Sequence, residues 1–109
     1  MSECVLVHWT CSGLDEARQM SQFLVKEKLV ACASITPWVE SVYLWNDQME
    51  TSQESRVVMK TTKELFPKVK EAILKRCKYE VPEILESPII DGHTEYLNWV
   101  KESCHPVGV

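Results

Sequence analysis

Two adjacent strand patterns, too long for the rest of the chain to cover, constrain this sequence more than anything else in it. Val30 to about Trp45 and Gln48 to about Lys60 flank the polar pair Asn46-Asp47, which reads as the turn of a hairpin. In the first arm Ala31, Ala33, Ile35, Val39, Tyr43 and Trp45 share one parity and Cys32, Val42 and Leu44 the other, the period-two alternation of a strand. Arms of about 13 residues at ~3.3 Å per residue reach roughly 40 Å. A domain of about 100 residues has a radius of gyration of only ~13 Å, so the outer half of the hairpin must leave the core. That half carries Trp38, Val39, Val42, Leu44, Trp45 and Met49. Apolar side chains on a projecting ribbon need cover from another chain, which predicts an oligomer.

The 109 residues are expected to form one domain, its core spanning about 4–103 in about two layers. Cys4 to Thr10 is a short apolar run with the look of a central strand, and His8 within it reads as a packed or hydrogen-bonded residue. Leu14, Ala17, Ser21, Leu24 and Lys28 share a face, which predicts a helix over 14–28 with Asp15-Glu16 at its positive end. Pro37 cannot donate to a ladder and marks an edge or a bulge. Thr61 or Thr62 caps a second helix, with Glu64 completing a capping box if Thr61 is the cap; Pro67 then lies beyond the first turn, and the helix starts near Glu64. Its buried stripe is Leu65, Phe66, Val69, Ala72, Ile73 and Cys77.

Leu85 to Ile90, containing Pro88, reads as an edge strand. Asp91-Gly92 reads as a turn, Thr94 as a cap and Tyr96 to Ser103 as a last helix with Leu97 and Val100 inward. The tail Pro106-Val107-Gly108-Val109 is expected to fray. Strand, helix, strand, strand, helix, strand and a terminal helix predict an α+β fold, a ferredoxin-like split βαβ sandwich with a long projecting β-hairpin and a short C-terminal helix.

Several function classes drop out. A net charge of −4 with both signs interspersed opposes a nucleic-acid partner, which draws on clustered Lys and Arg, and Lys75-Arg76 with Lys78 reads as a solvated helix end. Arg56 to Lys60 has no aromatic residue for base stacking. The loop Thr10-Cys11-Ser12-Gly13 has one cysteine where a soft-metal chaperone needs two, and Leu14-Asp15-Glu16 carries the wrong charge for cradling phosphate. No nucleophile stands beside a recognisable base, so no enzymatic activity is expected. The N-terminus lacks the basic and apolar regions of a secretory signal, and no run reaches the ~20 apolar residues of a membrane span, so no membrane insertion is expected. Five cysteines without any C-x-x-C predict reduced thiols and a cytoplasmic protein.

The stretch Tyr79-Glu80-Val81-Pro82-Glu83-Ile84 is followed by Pro88-Ile89-Ile90-Asp91-Gly92 and Glu95-Tyr96-Leu97-Asn98-Trp99-Val100. With Val30-Ala31-Cys32-Ala33, Tyr43-Leu44-Trp45 and Lys60-Thr61, and in this order from Val5 to Val100, the chain closely resembles the CutA family, the divalent-cation tolerance proteins. The resemblance implies a ferredoxin-like protomer in a tight homotrimer held by long hairpins. It also implies an association with copper and other divalent cations in tolerance and homeostasis and, in animals, a link to anchoring acetylcholinesterase. The chain departs from the family where Cys77-Lys78 replaces a frequent His-Pro, where Trp9 stands near a strand-one cysteine of bacterial relatives, with Cys11 two residues on, and where Pro37-Trp38 replaces Pro-Gly.

The candidate site is a cleft lined by Cys32, Lys60, Tyr79, Glu80 and Glu83, with Tyr43 and Trp45 from a hairpin of the same or a neighbouring chain. Pro82 keeps its segment extended and would fix Glu83 relative to Lys60. Such a cleft takes an anion or a carboxylate-ligated cation; alternatively Lys60 and Glu83 form a structural ion pair and the aromatic residues make subunit contacts. The metal-ligand candidates are Cys32, Cys77 and Glu83, for copper or another divalent cation held weakly, with no obligatory cofactor. The alternative function is a trimeric signalling or interaction module of the PII kind that binds a small anionic metabolite or a protein partner between subunits.

Overall fold

The computed structural model describes residues 3–105, so the expectation for the tail 106–109 lies outside the described residues. The hairpin is its longest feature. β2 (Cys32–Trp45) and β3 (Gln48–Thr62) pair antiparallel, and Asn46 and Asp47 join them with φ of 51° and 63°, the left-handed pair of a two-residue hairpin turn. The molecule measures 45 × 29 × 21 Å, drawn out along one axis as a projecting hairpin requires.

β1 (Cys4–Cys11) lies between β3 and β4 (Glu83–Pro88), giving an antiparallel sheet in the order β2-β3-β1-β4. With α1 (Leu14–Lys26) and α2 (Phe66–Arg76) as crossovers this is the ferredoxin-like arrangement expected, and α3 (Thr94–Ser103) is the last of the described elements. Val7, Trp9 and Cys11 of β1 and Val57 and Met59 of β3 share one face of the sheet. Ala17, Met20 and Leu24 of α1 and Val69, Ala72 and Ile73 of α2 pack with them into the main core. A second cluster, Cys4, Ala31, Leu65, Val100 and Cys104, joins α3 to the end of the sheet where β1 begins. Leu6, His8 and Val58 face the other way and are half-buried, and Leu85 opposite His8 is exposed. His8 pairs its Nε2 with Ser87 Oγ at 2.9 Å, as a packed histidine should.

Some boundaries differ from expectation for local reasons. α1 ends two residues early because Lys28 turns left-handed at φ 60°. The Lys28 amide then bonds to the Val25 carbonyl and the Leu29 amide to the Leu24 carbonyl, each at 3.0 Å, a Schellman stop with lysine in the place glycine usually takes. α2 starts at Phe66 rather than Glu64, which brings Pro67 into the first turn, where its missing N–H costs no hydrogen bond. No capping box forms: the Thr61 hydroxyl donates to the Leu29 carbonyl at 2.7 Å, and Thr62 Oγ1 accepts from the Leu65 amide at 3.3 Å. β4 begins two residues earlier than expected, at the edge position Pro88 suits.

The most consequential difference is a bulge. Thr36 pairs with Arg56 and Val39 with Glu54, so Pro37 and Trp38 stand opposite the single residue Ser55, whose hydroxyl donates to the Pro37 carbonyl at 2.6 Å. The extra residue reverses the parity of everything beyond it. Ala33 and Ile35 pair with Met59 and Val57 on the helix-covered face, whereas Tyr43 pairs with Glu50 on the opposite one. The single alternation read along the arm is therefore two alternations of opposite sense.

Burial decides which of two adjacent residues in α2 carries stability. Ile73 is fully buried and Leu74 is 52% exposed. Ile73→Ala is expected to destabilise by about 2–5 kcal/mol and Leu74→Ala by less than about 0.5 kcal/mol, compared by urea unfolding at fixed protein concentration; equal losses would refute this assignment of the core.

Candidate functional site

Arg56, Thr10 and Glu83 stand in line across β3, β1 and β4 on the face away from the helices. Thr10 Oγ1 donates to Glu83 Oε1 at 3.3 Å and Arg56 Nη1 lies 3.7 Å from Glu83 Oε2. Beyond this row the bulge swings Ser41, Tyr43 and Trp45 onto the same face, in register with Ser52, Glu50 and Gln48. The segment from Lys78 to Val81 forms the facing wall, and together they enclose a cleft of about 870 Å³.

Two hydrogen bonds set that wall. The Tyr79 hydroxyl donates to Glu54 Oε2 at 2.8 Å, and the Lys78 amide donates to Glu16 Oε2 at 2.8 Å. Burial, then the Glu54 carboxylate it serves, push the Tyr79 phenol well above its ordinary range, so it stays a donor. Glu16 is a buried carboxylate at the start of α1, and its Oε1 also accepts from the Ser12 amide at 3.0 Å and the Ser12 hydroxyl at 2.7 Å. Burial alone would raise its carboxyl; the Ser12 and Lys78 hydrogen bonds, with the Lys78 charge, outweigh it, and the net shift is downward. One side chain thus ties the β1–α1 loop to a wall of the cleft 62 residues away.

The expected site residues divide. Tyr43, Trp45, Tyr79, Glu80 and Glu83 line the one cleft within a single chain. Cys32 and Lys60 do not line it: they face each other across β2 and β3, four residues along β3 from Arg56, or about 13 Å. The cation beside Glu83 is Arg56, while Lys60 Nζ donates to Ser34 Oγ at 3.2 Å. Pro82 therefore leads the chain into a position set by Arg56 and Thr10, not by Lys60. Cys77 caps α2 at its C-terminus, packs against the main core and donates through Sγ to the Tyr79 carbonyl at 3.4 Å.

Thr10, Ser41, Val42, Glu50, Ser52, Glu54, Lys78 and Val81 complete the lining and were absent from the sequence-derived set. A signal for Glu50 existed, since a two-residue turn at Asn46-Asp47 puts Tyr43 opposite Glu50. Glu54 and Thr10 could not be found without the bulge and the order of the strands.

The lining opposes four carboxylates, Glu50, Glu54, Glu80 and Glu83, to one lysine, Lys78, with Arg56 alongside Glu83. The field favours cations. A single metal ion is another matter. Among the described residues no three His, Cys, Asp or Glu side chains come together to hold one. Burial pushes the Cys11 thiol up to about 11, and burial followed by the Glu16 charge raises Cys77, so both are protonated thiols in the metal-free chain. The described residues of a single chain do not by themselves form a metal-binding cluster.

Sheet order, helix placement and hairpin define a ferredoxin-like α+β protein with an acidic cleft at the root of an extended ribbon. The pattern of the CutA1 divalent ion tolerance protein family matches residues 5–103. The chain is 40% identical over 103 residues to the divalent-cation tolerance protein CutA of Thermus thermophilus, a match covering 94% of this chain and 98% of that protein. It is 32% identical over 99 residues to the chloroplastic protein CutA 1 of Oryza sativa subsp. japonica, covering 91% of this chain and 56% of the relative. Among solved structures, CutA from Xylella fastidiosa superposes with a TM-score of 0.93 at 30% identity over 95% of this chain and 100% of that one. The Thermus thermophilus protein gives a TM-score of 0.90 at 37% identity, over 94% and 99%. The chain belongs to the CutA family of divalent-ion tolerance proteins.

The Glu16 carboxyl titrates lower in the folded state than in the unfolded chain, whose value is about 4.3, so its contribution is present above that pH and is lost as pH falls through the folded value. Glu16→Gln is expected to cost about 1–3 kcal/mol at neutral pH. It should also flatten the acid side of a stability–pH curve built from urea titrations; an unchanged acid side would mean the carboxylate does not hold the loop.

Proposed function

We propose that the protein acts without catalysis, as a homotrimer serving tolerance of divalent cations, copper among them, with a metal ion held weakly between subunits rather than within one chain. The observation that carries this reading is the uncovered hairpin. Val42, Leu44 and Met49 stand 62%, 64% and 69% exposed on one face of the ribbon, apolar surface that further copies of the chain would cover. The helix-free face of the sheet, where Leu85 is exposed and Val58 and Leu6 are half-buried with His8 between Val58 and Leu85, is a second surface that a further copy would cover. Three is the number the CutA resemblance implies.

The metal reading rests on the family and on the acidic cleft, which raises the local concentration of cations. In this reading the ion is held between subunits, Cys32 and Glu83 each adding a ligand from its own chain. Protonated, packed thiols without an adjacent base support a non-enzymatic role. Cys11, Cys32, Cys77 and Cys104 are free thiols, which supports a reducing compartment, taken here as the cytoplasm. Among the described residues no helix is long and apolar enough to cross a membrane. The four carboxylates argue against the small anionic metabolite of the PII-like alternative.

Light scattering of the native protein should give three times the 12.6 kDa chain mass, and Leu44→Asp should lower it. Calorimetric titration of the reduced protein with Cu(II) and Zn(II) should show saturable binding in the trimer that is lost in the dissociated variant. A monomeric native mass, or equal metal binding by the dissociated chain, would overturn the proposal.

A further inference from the structure

His8 is a titratable side chain in the middle of β1 that the cleft does not use. It lies on the helix-free face, opposite Val58 of β3 and Leu85 of β4, with Leu6 and Thr10 on the same face of its own strand. The ring is half-buried in the single chain, and Nε2 meets Ser87 Oγ at 2.9 Å. Nδ1 is buried and has no hydrogen-bond partner among the described residues. One ring nitrogen is served and the other is not.

A proton on both nitrogens would make a cation with a donor aimed at no acceptor. The strands packed on either side do not compensate it. On the same face β3 presents Arg56 and Lys60, two positions to either side of Val58, and both are themselves cations. β4 presents Glu83, two positions from Leu85, but Arg56 and Thr10 already engage that carboxylate. Glu86, the other carboxylate in the middle of β4, pairs with Val7 and so belongs to the opposite face. While the face is open, water can hydrate an imidazolium there. Once a further copy lies on it, that water is gone, and an unpaired buried charge is costly.

We propose that His8 makes the assembly of this protein sensitive to pH: copies cover the helix-free face while the imidazole is neutral, and protonation of His8 drives them apart. The inference rests on the oligomer reading and adds its regulation. The separated chain binds a proton that the assembled chain excludes, so assembly is complete at alkaline pH and weakens as pH falls through the range in which imidazoles charge, about 7 to 5.5. One proton per chain weakens assembly by up to about tenfold per pH unit for each chain, or about a thousandfold for three.

The test is sedimentation equilibrium of the full chain over a dilution series at pH 8, 6.5 and 5.5. Ionic strength is fixed, and a chelator and a reductant are present so that neither metal nor disulfides contribute. Mass at a given concentration should fall with pH while circular dichroism shows the fold retained. His8→Gln, which keeps a polar side chain that cannot charge, should hold its mass at pH 5.5. His93→Gln and His105→Gln, both at exposed positions, should dissociate in acid as the parent does. A second measurement needs no variant: dilution calorimetry of the native protein at pH 6, in two buffers of different ionisation heat, should count about one proton taken up per chain released. A monomer at pH 8 would overturn the oligomer reading and this inference with it. An oligomer at pH 8 that is equally tight at pH 5.5, acid dissociation that persists in His8→Gln, unfolding in step with the loss of mass, or dilution without proton uptake would overturn this inference alone.

Discussion

One extra residue in β2 decides what this molecule presents to its surroundings. Proline has no N–H to give to the ladder, so a break at Pro37 sacrifices no hydrogen bond that another residue would have made, and the Ser55 hydroxyl satisfies the exposed carbonyl. The consequence is geometric. Side chains alternate strictly along a strand, so a single insertion moves every later side chain to the other face. Without the bulge, Tyr43 and Trp45 would continue the row of Ala33 and Ile35, and the face bearing Glu83 would lose both of them from its cleft. With it, Val42 and Leu44 take the helix-side row at a distance the helices do not reach, and stay exposed.

The two faces of the sheet are consequently unlike. One is closed by α1 and α2 over Val7, Trp9, Val57 and Met59, a core that one chain completes. The other carries a row of polar contacts at one end and half-buried apolar residues in the middle. The cleft forms at the polar end because two hydrogen bonds between distant parts of the chain hold the segment after α2 against the ribbon. Glu16 is buried yet remains a carboxylate, since three donors replace the water it has lost. The same principle holds Glu54 and Glu83 as charged groups on the open side of the sheet, Glu54 accepting from the Tyr79 hydroxyl and Glu83 engaged by Thr10 and Arg56.

The fold was largely legible in the chain. Alternation, helical stripes and breakers placed seven elements in order, and the ferredoxin-like arrangement follows from that order. The errors were local. Pro67 was read as lying beyond a first turn that in fact contains it, because Thr61 makes its hydrogen bond to Leu29 rather than to a helix end. Lys28 stops a helix at a position where composition offers no glycine to announce it. Five cleft residues, Tyr43, Trp45, Tyr79, Glu80 and Glu83, were correctly grouped, while Cys32 and Lys60 were placed with them because nothing in a linear sequence measures distance along a neighbouring strand.

Short-range physics thus determined the elements, the turn at Asn46-Asp47, the length of the hairpin and its need for cover, since each depends on residues within a few positions of one another. Tertiary structure alone decided that Arg56 and not Lys60 stands beside Glu83, that Glu16 holds Lys78, and that Tyr79 meets Glu54. Those pairings join residues 25 to 62 positions apart, or strands that are not neighbours in the chain. They depend on sheet order and on a one-residue shift of register, quantities that emerge only when the strands are laid side by side.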